Sequence, residues 1–372
     1  MGYLGEQIPK LGFGLMRLPM LGEDVDIEQT KEMVDRFLNA GFTYFDTAFG
    51  YLGGKSELAI GEALVKRYPR ESYQLATKLP AWAGAKNAQE AKDMLTTSLK
   101  RTGAGYFDFY LLHNLGAGRS HYFDDYGIWD YVQEQKAKGV LKHVGFSFHD
   151  KAEVLEEVLQ AHPEMEFVQL QINYADWESD AIQSRACYEV ARKYDKPVII
   201  MEPVKGGLLA QPPEPVQKVL KAADPEASCA SWALRFAASL PGLITVLSGM
   251  SDLSQMDDNL RTFAGFKPLD GADAKVVEQA RKTLEAIPAI PCTNCRYCVK
   301  GCPMEINIPG IFKAANSLSV YGNLASAKGN YGFETREGNK ASACIACGQC
   351  ESVCPQHIEI IEALRTAVEN FE

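Results

Sequence analysis

Residues 42–79 read "FTYFDTAFGYLGGKSELAIGEALVKRYPRESYQLATKL", and this stretch contains one complete unit of the fold. Two short apolar runs, "FTYFDT" and "YQLATKL", flank an amphipathic segment from Ser56 to Tyr68. Runs of this length and composition favour buried strands, and the segment between them has the apolar spacing of a helix. The stretch therefore predicts two parallel strands joined by a crossover helix.

The same alternation of strand and helix continues on both sides of residues 42–79. Eight strands are predicted, at "LGFGLM", "FTYFDT", "YQLATKL", "FDFYLLH", "KHVGFS", "FVQLQIN", "PVIIMEP" and "LITVLSG". The predicted helices run over 27–39, 56–68, 88–102, 127–138, 151–160, 181–193, 227–238 and 253–263. Eight strands with eight helices predict an α/β fold, a (β/α)8 TIM barrel. An open doubly wound sheet is the alternative, but it usually has a G-x-G-x-x-G turn after its first strand, whereas "GFGLMR" leads into a long loop.

Length and charge limit the classes of function. The chain has 372 residues, more than a barrel of about 250 residues needs, so a second, smaller domain is expected. Its formal net charge of −10 offers no long-range attraction for nucleic acid or for an anionic membrane. The opening residues "MGYLGEQIPKLGFGL" lack a basic run followed by an apolar segment, and no window approaches about 20 apolar residues. We expect a cytoplasmic protein without a nucleic-acid or membrane partner.

Eight of the ten cysteines lie in two copies of one spacing, C-x2-C-x2-C-x3-C-P, near the end of the chain. A disulfide framework does not require such a strict repeat, whereas two-cluster bacterial ferredoxins have this spacing. Three thiolates on a tight loop hold three corners of a 4Fe-4S cube, and the fourth points to the partner cluster. One predicted ligand set is Cys292, Cys295, Cys298 and Cys354; the other is Cys302, Cys344, Cys347 and Cys350. A pair of zinc sites is the alternative, but zinc does not need the third cysteine or the proline.

The segment between the two motifs has apolar residues at helical spacing, and so does "IEIIEALRTAVENF" after the second motif. This C-terminal region resembles the small, mainly helical dicluster ferredoxin domains that pass electrons within larger redox enzymes. We expect the barrel over residues 1–265, a linker or helix over 266–290 and the dicluster domain over 291–372.

Polar residues follow three consecutive strands of the predicted barrel, at the edge where TIM barrels carry their chemistry. They are Asp46 and Tyr51 in "FDTAFGYLGGKSE", Lys78 in "ATKLP" and His113 in "LLHN". Residues of these types in this order resemble the catalytic tetrad of the aldo-keto reductases, and the resemblance extends from about Lys10 to Phe263. It implies that Tyr51 donates a proton to a carbonyl oxygen. Lys78 would favour phenolate character in Tyr51, Asp46 would hold Lys78 charged, and His113 would bond the carbonyl.

The same resemblance implies a nicotinamide cofactor and the residues that would bind it. Those residues are Gly14, Met16, Arg17, Asp46, Ser147, Gln169, Gly249, Met250, Ser251, Gln255 and Asn259. Three positions depart from the family pattern: Phe148 stands where an Asn is usual, Met201 where an aromatic ring stacks on the nicotinamide, and Asp252 near the 2′-phosphate site. Because Asp252 would repel that phosphate, the choice between NADP and NAD stays open, and a flavin is conceivable.

A few further residues have two interpretations. Glu202 and Lys205 follow the seventh strand and either line the pocket or pair with each other. Cys187 and Cys229 lie on predicted helices and are interpreted as buried small apolar residues.

The two halves differ in how many electrons they move. A nicotinamide gives up two electrons as hydride, whereas a 4Fe-4S cluster moves one, so the two sites do not exchange electrons directly without a converter such as a flavin. Three alternatives follow: a flavin binds in the barrel or on a partner, the substrate accepts single electrons, or the clusters are structural. The leading hypothesis is an NAD(P)H-dependent enzyme that reduces a small carbonyl substrate, or oxidises the alcohol, and is coupled to electron transfer through two 4Fe-4S clusters. A ferredoxin or flavoprotein would be its electron partner. The alternative is an electron-transfer protein whose barrel binds a ligand or a flavin without carbonyl reductase turnover.

Overall fold

The computed structural model describes residues 4–372, in which eight parallel strands close into a barrel. Each barrel strand pairs with the strand that follows it in the barrel, and the first pairs with the last, as Gly14 does with Gly249. The barrel strands are β1 (Leu11–Gly14), β4 (Tyr44–Asp46), β5 (Gln74–Leu79), β6 (Phe107–Leu115), β7 (Leu141–Phe148), β8 (Phe167–Gln171), β9 (Val198–Met201) and β10 (Leu243–Gly249). The short strands β2 (Met20–Leu21) and β3 (Asp24–Val25) form an antiparallel pair after β1. The predicted TIM barrel is confirmed, and each predicted strand overlaps an observed one.

Helices lie between the strands of the barrel and after the last strand, β10. They are α1 (Ile27–Asn39), α2 (Lys55–Ile60), α3 (Ala88–Thr102), α4 (His121–Asp125), α5 (Ile128–Ala137), α6 (Ala152–Ala161), α7 (Ser184–Lys193), α8 (Glu214–Ala223), α9 (Cys229–Ser239), α10 (Leu253–Ala264) and α11 (Gly271–Glu285). The helix predicted over 56–68 is shorter, because α2 continues as a π-helical turn over Gly61–Val65. A Cβ atom at Gly61 would lie 2.9 Å from the carbonyl oxygen of Thr102, so glycine allows α2 to approach α3 closely.

Alternate residues of the strands fill two separate apolar cores. Tyr44, Phe109 and Phe167 belong to the cluster inside the barrel, whereas Phe45 and Phe13 belong to the larger cluster that includes the helices. The period of two follows from the pleat of a strand, which points neighbouring side chains to opposite faces. Burial of each large side chain stabilises the barrel by roughly 1.5–3 kcal/mol. The closed barrel therefore holds its strand ends, and the polar residues on them, at fixed positions.

The chain forms two compact units. The first comprises the chain up to Ala210 together with Glu226–Val277, and the second comprises Gln211–Pro225 with Glu278–Glu372. The segment Gln211–Pro225, which lies within the predicted barrel range 1–265, groups with the second unit. None of the helices in residues 4–372 combines the length and the apolar character that crossing a bilayer requires.

The C-terminal part of the second unit is helical and has its own small core. Its helices are α12 (Tyr297–Lys300), α13 (Ile308–Tyr321), α14 (Leu324–Glu334), α15 (Gln349–Ser352) and α16 (Ile360–Phe371). Ile311, Phe312 and Leu364 are almost completely buried in that core. Two of its helices are a single turn long, and both begin within a cysteine motif. The sequence prediction of a mainly helical domain is confirmed.

Candidate active site and cluster sites

Three neighbouring strands bring the predicted tetrad together at the carboxyl end of the barrel. Asp46 is the last residue of β4, and Lys78 and His113 lie near the ends of β5 and β6. Strand β4 pairs with β5, and β5 pairs with β6, so the three side chains arise from adjacent strands. Tyr51 begins a 3-10 turn (Tyr51–Gly54) in the loop after β4.

The loop that carries Tyr51 is anchored by a buried ion pair. Arg101 on α3 donates to the carbonyl oxygen of Phe49 at 2.8 Å and to Glu57 at 3.0 Å. Glu57 is completely buried and also accepts from the Thr77 hydroxyl at 2.8 Å, which offsets the cost of burying its charge. A Cβ atom at Gly54 would lie 2.9 Å from the Arg101 guanidinium, so this glycine leaves room for the anchor.

Lys78 is the centre of the tetrad. Its ammonium group forms an ion pair with Asp46 and donates to the carbonyl oxygen of Thr47 at 2.8 Å and to the hydroxyl oxygen of Tyr51 at 3.4 Å. Gln169 donates to the second carboxylate oxygen of Asp46 at 3.2 Å. Lys78 and Asp46 are 1% and 2% exposed, so their charges interact with little screening by water. The pair therefore holds a positive charge beside the Tyr51 phenol.

The ionisation of the tetrad follows from burial and from this pair. Burial by itself lowers the pKa of Lys78, but the Asp46 carboxylate outweighs it and raises the pKa, so Lys78 is an ammonium group at neutral pH. Burial raises the pKa of Tyr51, while Lys78 acts in the opposite direction. The expected effect of Lys78 is present, but the net shift of the Tyr51 pKa is upward because burial is the larger cause. Tyr51 is therefore a protonated phenol in the resting site.

His113 completes the site as a neutral imidazole. Burial, followed by the nearby Lys78 charge, lowers the pKa of His113 well below its usual value. Its ring stands edge-on to the Tyr51 ring with centroids 6.0 Å apart, and Trp82 donates its indole N–H to the His113 carbonyl at 2.7 Å. Within residues 4–372, His113 Nδ1 is buried and has no hydrogen-bond partner. A polar group of a ligand could satisfy it.

Two of the residues expected at the cofactor lie side by side beneath the tetrad. Ser147 on β7 is in register with Gln169 on β8, and each is 1% exposed. The Ser147 hydroxyl accepts from the backbone N–H of Asn114 at 2.8 Å. Because the Gln169 side chain donates to Asp46, a hydrogen bond connects Gln169 to the tetrad.

The first loop and the end of the last strand also meet. Gly14 pairs with both Asp46 and Gly249, and a Cβ atom at Gly249 would lie 3.4 Å from Arg17 Cδ. Met16 is 55% exposed, whereas Met250 is completely buried. Gly14, Arg17 and Gly249 therefore form a backbone-rich surface at the mouth of the barrel, with the Met16 side chain open to solvent.

The remaining expected cofactor residues lie at the start of α10. Asp252 caps this helix by accepting from the Gln255 backbone N–H at 2.9 Å, and it also accepts from Ser254 at 2.6 Å. Hydrogen bonds from Ser254 and Gln255 lower the pKa of Asp252. Gln255 accepts from the Ser251 backbone N–H at 2.9 Å, and Asn259 is buried and donates to Ser248 at 2.7 Å. A carboxylate thus stands where the positive end of the helix dipole favours an anion.

The positions that depart from the family pattern have clear structural roles. Phe148 is buried and packs edge-on against Phe146, and Met201 ends β9 partly exposed. Lys205 forms an ion pair with Asp176, and its backbone N–H donates to the carbonyl oxygen of Glu202 at 2.9 Å. Asp176 is 5% exposed, and the charge of Glu202 acts on Tyr51 by raising its pKa.

Sequence reasoning missed His149, a second histidine at the mouth of the barrel. It follows β7 directly in "GFSFHD", and its backbone N–H donates to the Leu115 carbonyl at 3.2 Å. Burial lowers its pKa to about 4, against the opposing effect of a hydrogen bond to Gln171. Gln171 in turn donates to Asp176 at 3.2 Å. The signal that could have found His149 is its place immediately after the end of β7.

In the second unit, the eight motif cysteines line two cavities. The first cavity is lined by Cys292, Cys295, Cys298 and Cys354. The second cavity is lined by Cys302, Cys344, Cys347 and Cys350. The structure therefore brings together the two sets that the spacing predicts, each with three thiols from one motif and one from the other. Cys187 and Cys229 are buried at 4% and 7% exposure, as predicted.

Comparison with known proteins identifies both parts of the chain. Residues 10–282 match the model of the Aldo/keto reductase family, and residues 291–359 match that of the 4Fe-4S dicluster domain. "Probable aldo-keto reductase 1" of Glycine max is 29% identical over 191 residues, which are 48% of this chain and 52% of that protein. "Uncharacterized oxidoreductase YqkF" of Bacillus subtilis is 21% identical over 304 residues, 74% of this chain and 93% of that protein. The chain spans about half the length of the first curated relatives that it matches.

Solved structures share the barrel. The holo form of aldo-keto reductase AKR11C1 from Bacillus halodurans has a TM-score of 0.58 and 23% identity, covering 73% of this chain and 91% of its own. An aldo-keto reductase from Klebsiella pneumoniae in complex with NADPH has a TM-score of 0.59 and 18% identity, covering 74% and 92%. Because the family model matches most of the chain, and the predicted fusion with a dicluster domain is confirmed, the chain belongs to the aldo/keto reductase family.

Proposed function

We propose that this protein is an NAD(P)H-dependent oxidoreductase of the aldo-keto reductase type. It reduces a small carbonyl substrate, or oxidises the corresponding alcohol, and the reaction is coupled to electron transfer through two 4Fe-4S clusters. The observation that carries the proposal is the buried chain from Asp46 through Lys78 to Tyr51, with a neutral His113 beside it. Family membership and the complex of the Klebsiella pneumoniae neighbour with NADPH support the choice of cofactor.

The residues of the tetrad have complementary tasks in this reaction. A reduced nicotinamide, when bound, supplies a hydride, which carries two electrons to the carbonyl carbon. Tyr51 gives its phenol proton to the carbonyl oxygen, which becomes the alcohol, and recovers a proton from solvent afterwards. Lys78 stabilises the transient phenolate because its ammonium lies against the phenol oxygen. His113, uncharged, donates an N–H to the same carbonyl oxygen and orients it.

The cofactor would lie across the carboxyl end of the barrel. We assign contacts on its nicotinamide side to Gly14, Met16, Arg17, Asp46, Ser147 and Gln169, and contacts on its adenylate side to Gly249, Met250, Ser251, Gln255 and Asn259. The Asp252 cap supports NAD over NADP, since its carboxylate already occupies the positive end of α10. The resemblance to enzymes that bind NADPH supports the opposite choice, and a flavin is the third candidate.

The two cysteine-lined cavities fit two 4Fe-4S clusters. Each cavity offers four thiols, the donor type that such clusters require, and the 4Fe-4S dicluster model matches the same residues. We propose that Cys292, Cys295, Cys298 and Cys354 hold one cluster and that Cys302, Cys344, Cys347 and Cys350 hold the other. A flavin, in the barrel or on a ferredoxin or flavoprotein partner, would convert between two-electron and one-electron transfer.

We propose the same division of the chain as the sequence predicts, with the barrel over 1–265, a linker or helix over 266–290 and the dicluster domain over 291–372. The cytoplasm is the proposed location, because free thiols and iron–sulfur clusters suit a reducing compartment.

Replacement of Tyr51 by phenylalanine tests the proposed reaction. Tyr51→Phe should lower carbonyl reduction by about 10²- to 10⁴-fold, the usual contribution of a positioned proton donor, and should leave iron and sulfide content unchanged. Tyr131→Phe is the matched control, because Tyr131 lies on α5 and its hydroxyl donates to the backbone carbonyl oxygen of Lys92 on α3. Oxidation of NADPH and NADH is measured with a panel of aldehydes and ketones. Full activity of Tyr51→Phe would contradict the proposal.

The alternative function is an electron-transfer protein whose barrel binds a ligand or flavin without carbonyl reductase turnover. Two considerations favour this alternative. A nicotinamide moves two electrons whereas a 4Fe-4S cluster moves one, and the Asp252 carboxylate at the start of α10 disfavours the 2′-phosphate of NADP. Anaerobic purification followed by iron, sulfide and cofactor analysis separates the two functions. Eight irons with a released flavin and no carbonyl turnover would support the alternative, whereas NAD(P)H-dependent turnover would support the reductase.

A further inference from the structure

The two cysteine-lined cavities are copies of one arrangement. Cys344 lies 52 residues after Cys292, and the same offset relates the other residues that line the two cavities, except Arg296 and Pro303. The offset of 52 residues also relates three pairs of residues with left-handed backbone conformation. They are Asn294 with Ala346, Arg296 with Gly348, and Glu305 with His357. The backbone around the two cavities is therefore equivalent, and differences between them come from side chains.

The side chains differ in polarity at three of these equivalent positions. The first cavity has Thr293, Arg296 and Gln356. The second cavity has Ile345 and Met304 in place of Thr293 and Gln356, and Gly348 stands in place of Arg296. At the other positions both cavities are apolar, with Ile358 and Ile360 in the first matched by Ile306 and Ile308 in the second. The first cavity therefore has one positive charge and two hydrogen-bonding side chains that the second lacks.

Exposure of the thiols does not distinguish the cavities. Cys295 and Cys347, at equivalent positions, are both exposed, whereas Cys298 and Cys350 are both buried. The reduction potential of a 4Fe-4S cluster depends on net charge, on hydrogen bonds to its sulfurs and on solvent exposure. Since exposure is alike, charge and hydrogen bonding decide the difference.

Added negative charge is more stable in the first cavity. A reduced cluster carries one more electron than an oxidised one, so the Arg296 guanidinium stabilises the reduced form. The Thr293 hydroxyl and the Gln356 amide are donors that act in the same direction, whereas Ile345 and Met304 offer no hydrogen.

We propose that the two clusters are inequivalent and that the first cavity holds the one with the higher reduction potential. This inference rests on the proposed function, since it requires both clusters. When one electron is present, it resides on the cluster in the first cavity. Transfer between the two would oxidise a cluster held in the second cavity and reduce one held in the first cavity by the same electron, because Arg296, Thr293 and Gln356 favour the reduced form there. No bond or proton changes in this step.

The test is a dye-mediated redox titration of the whole protein, followed by electron paramagnetic resonance. The wild type should show two midpoint potentials. Arg296 is exposed, and an exposed charge contributes under about 1 kcal/mol. Arg296→Gln should therefore lower the higher midpoint by roughly twofold to fivefold in the equilibrium constant, which is about 18–41 mV for a one-electron couple. Arg336→Gln is the control, because Arg336 lies in the same unit but lines neither cavity. It removes an equal charge and should leave both midpoints unchanged.

A reciprocal variant keeps the test informative if Arg296→Gln fails to load its cluster. Gly348→Arg should raise the lower midpoint, and Arg296 shows that arginine can adopt the same left-handed backbone. A Cβ atom at Gly348 would meet no atom within 4 Å. A single shared midpoint, or a shift of the lower midpoint by Arg296→Gln, would overturn the inference while leaving the proposed function intact. Wild-type protein without two clusters would overturn both.

Discussion

The Lys78 ammonium lies 3.4 Å from the Tyr51 hydroxyl oxygen, with the Asp46 carboxylate on its other side. Asp46 keeps the buried ammonium charged, and the ammonium in turn opposes the effect of burial on the Tyr51 pKa. The same ion pair thus serves both the stability of the barrel and the acidity of the phenol.

Removal of one member of this pair should destabilise the barrel. Asp46→Asn leaves the Lys78 charge buried without a partner, which costs about 3–5 kcal/mol. The double variant Asp46→Asn with Lys78→Met should be more stable than Asp46→Asn alone, because no unpaired charge remains. Anaerobic thermal unfolding followed by circular dichroism measures both. A double variant as unstable as the sum of its single changes would show that the pair is not coupled in this way.

The stability of the barrel should decrease in mild acid. Burial lowers the pKa of His149 to about 4 and that of His113 well below its usual value. Below about pH 6.5 the unfolded chain binds protons at these residues and the folded chain does not, so each costs up to about 1.4 kcal/mol per pH unit. For His149 the loss extends from about pH 6.5 to about pH 4.

A comparison of variants separates the contribution of His149 from other effects of acid on the stability of the protein. The melting temperature of His149→Asn should decrease less than that of the wild type between pH 7.5 and pH 5.5. His121→Asn, a change at an exposed histidine on α4, should behave as the wild type does. Equal decreases in all three proteins would contradict the assignment of His149 as a buried neutral group.

The charge of Asp252 should influence the choice of cofactor. Asp252→Ser retains an oxygen that can cap α10 but removes the carboxylate. Affinity for NADPH should increase relative to NADH by roughly twofold to fivefold, since exposed charge contacts contribute under about 1 kcal/mol. Isothermal titration with both nucleotides measures the ratio, with Asp93→Ser on α3 as the control. An unchanged ratio would place the 2′-phosphate away from α10.

Crossed ligation of the clusters predicts which pairs of cysteines act together. Cys292→Ser with Cys354→Ser removes two thiols from the first cavity only, so about four of eight irons should remain. Cys292→Ser with Cys302→Ser removes one thiol from each cavity, so both clusters should be lost or weakened. Iron and sulfide are counted after anaerobic reconstitution. Selective loss of one cluster from the second variant would mean that each motif holds its own.

The sequence predicts most of the barrel because strand and helix have different apolar periods. Helices Ile27–Asn39 and Ala88–Thr102 begin and end where the pattern predicts. Asp46, Lys78 and His113 could be found because each lies at or beside a strand end, and consecutive parallel strands place such ends together. The two cysteine sets could be predicted because their spacing is itself a geometric constraint.

Other features depend on contacts between elements far apart in sequence. The pairing of Lys205 with Asp176 depends on how the loops after β8 and β9 fold over the barrel mouth. The upward shift of the Tyr51 pKa depends on burial, which no local pattern reports. The anchoring of the Tyr51 loop by Arg101 needs α3 to lie against that loop, and nothing in the residues around Tyr51 indicates it.

The crossed arrangement of the two cysteine motifs should influence how resistant the protein is to proteolysis in a cell. Each cavity has three thiols from one cysteine motif and one from the other. A bound cluster would therefore join two parts of the dicluster domain that the small apolar core alone holds together weakly. If iron or sulfide is scarce, a newly made chain would lack its clusters, and its dicluster domain would be accessible to proteases. The abundance of intact protein would then follow the supply of these two elements.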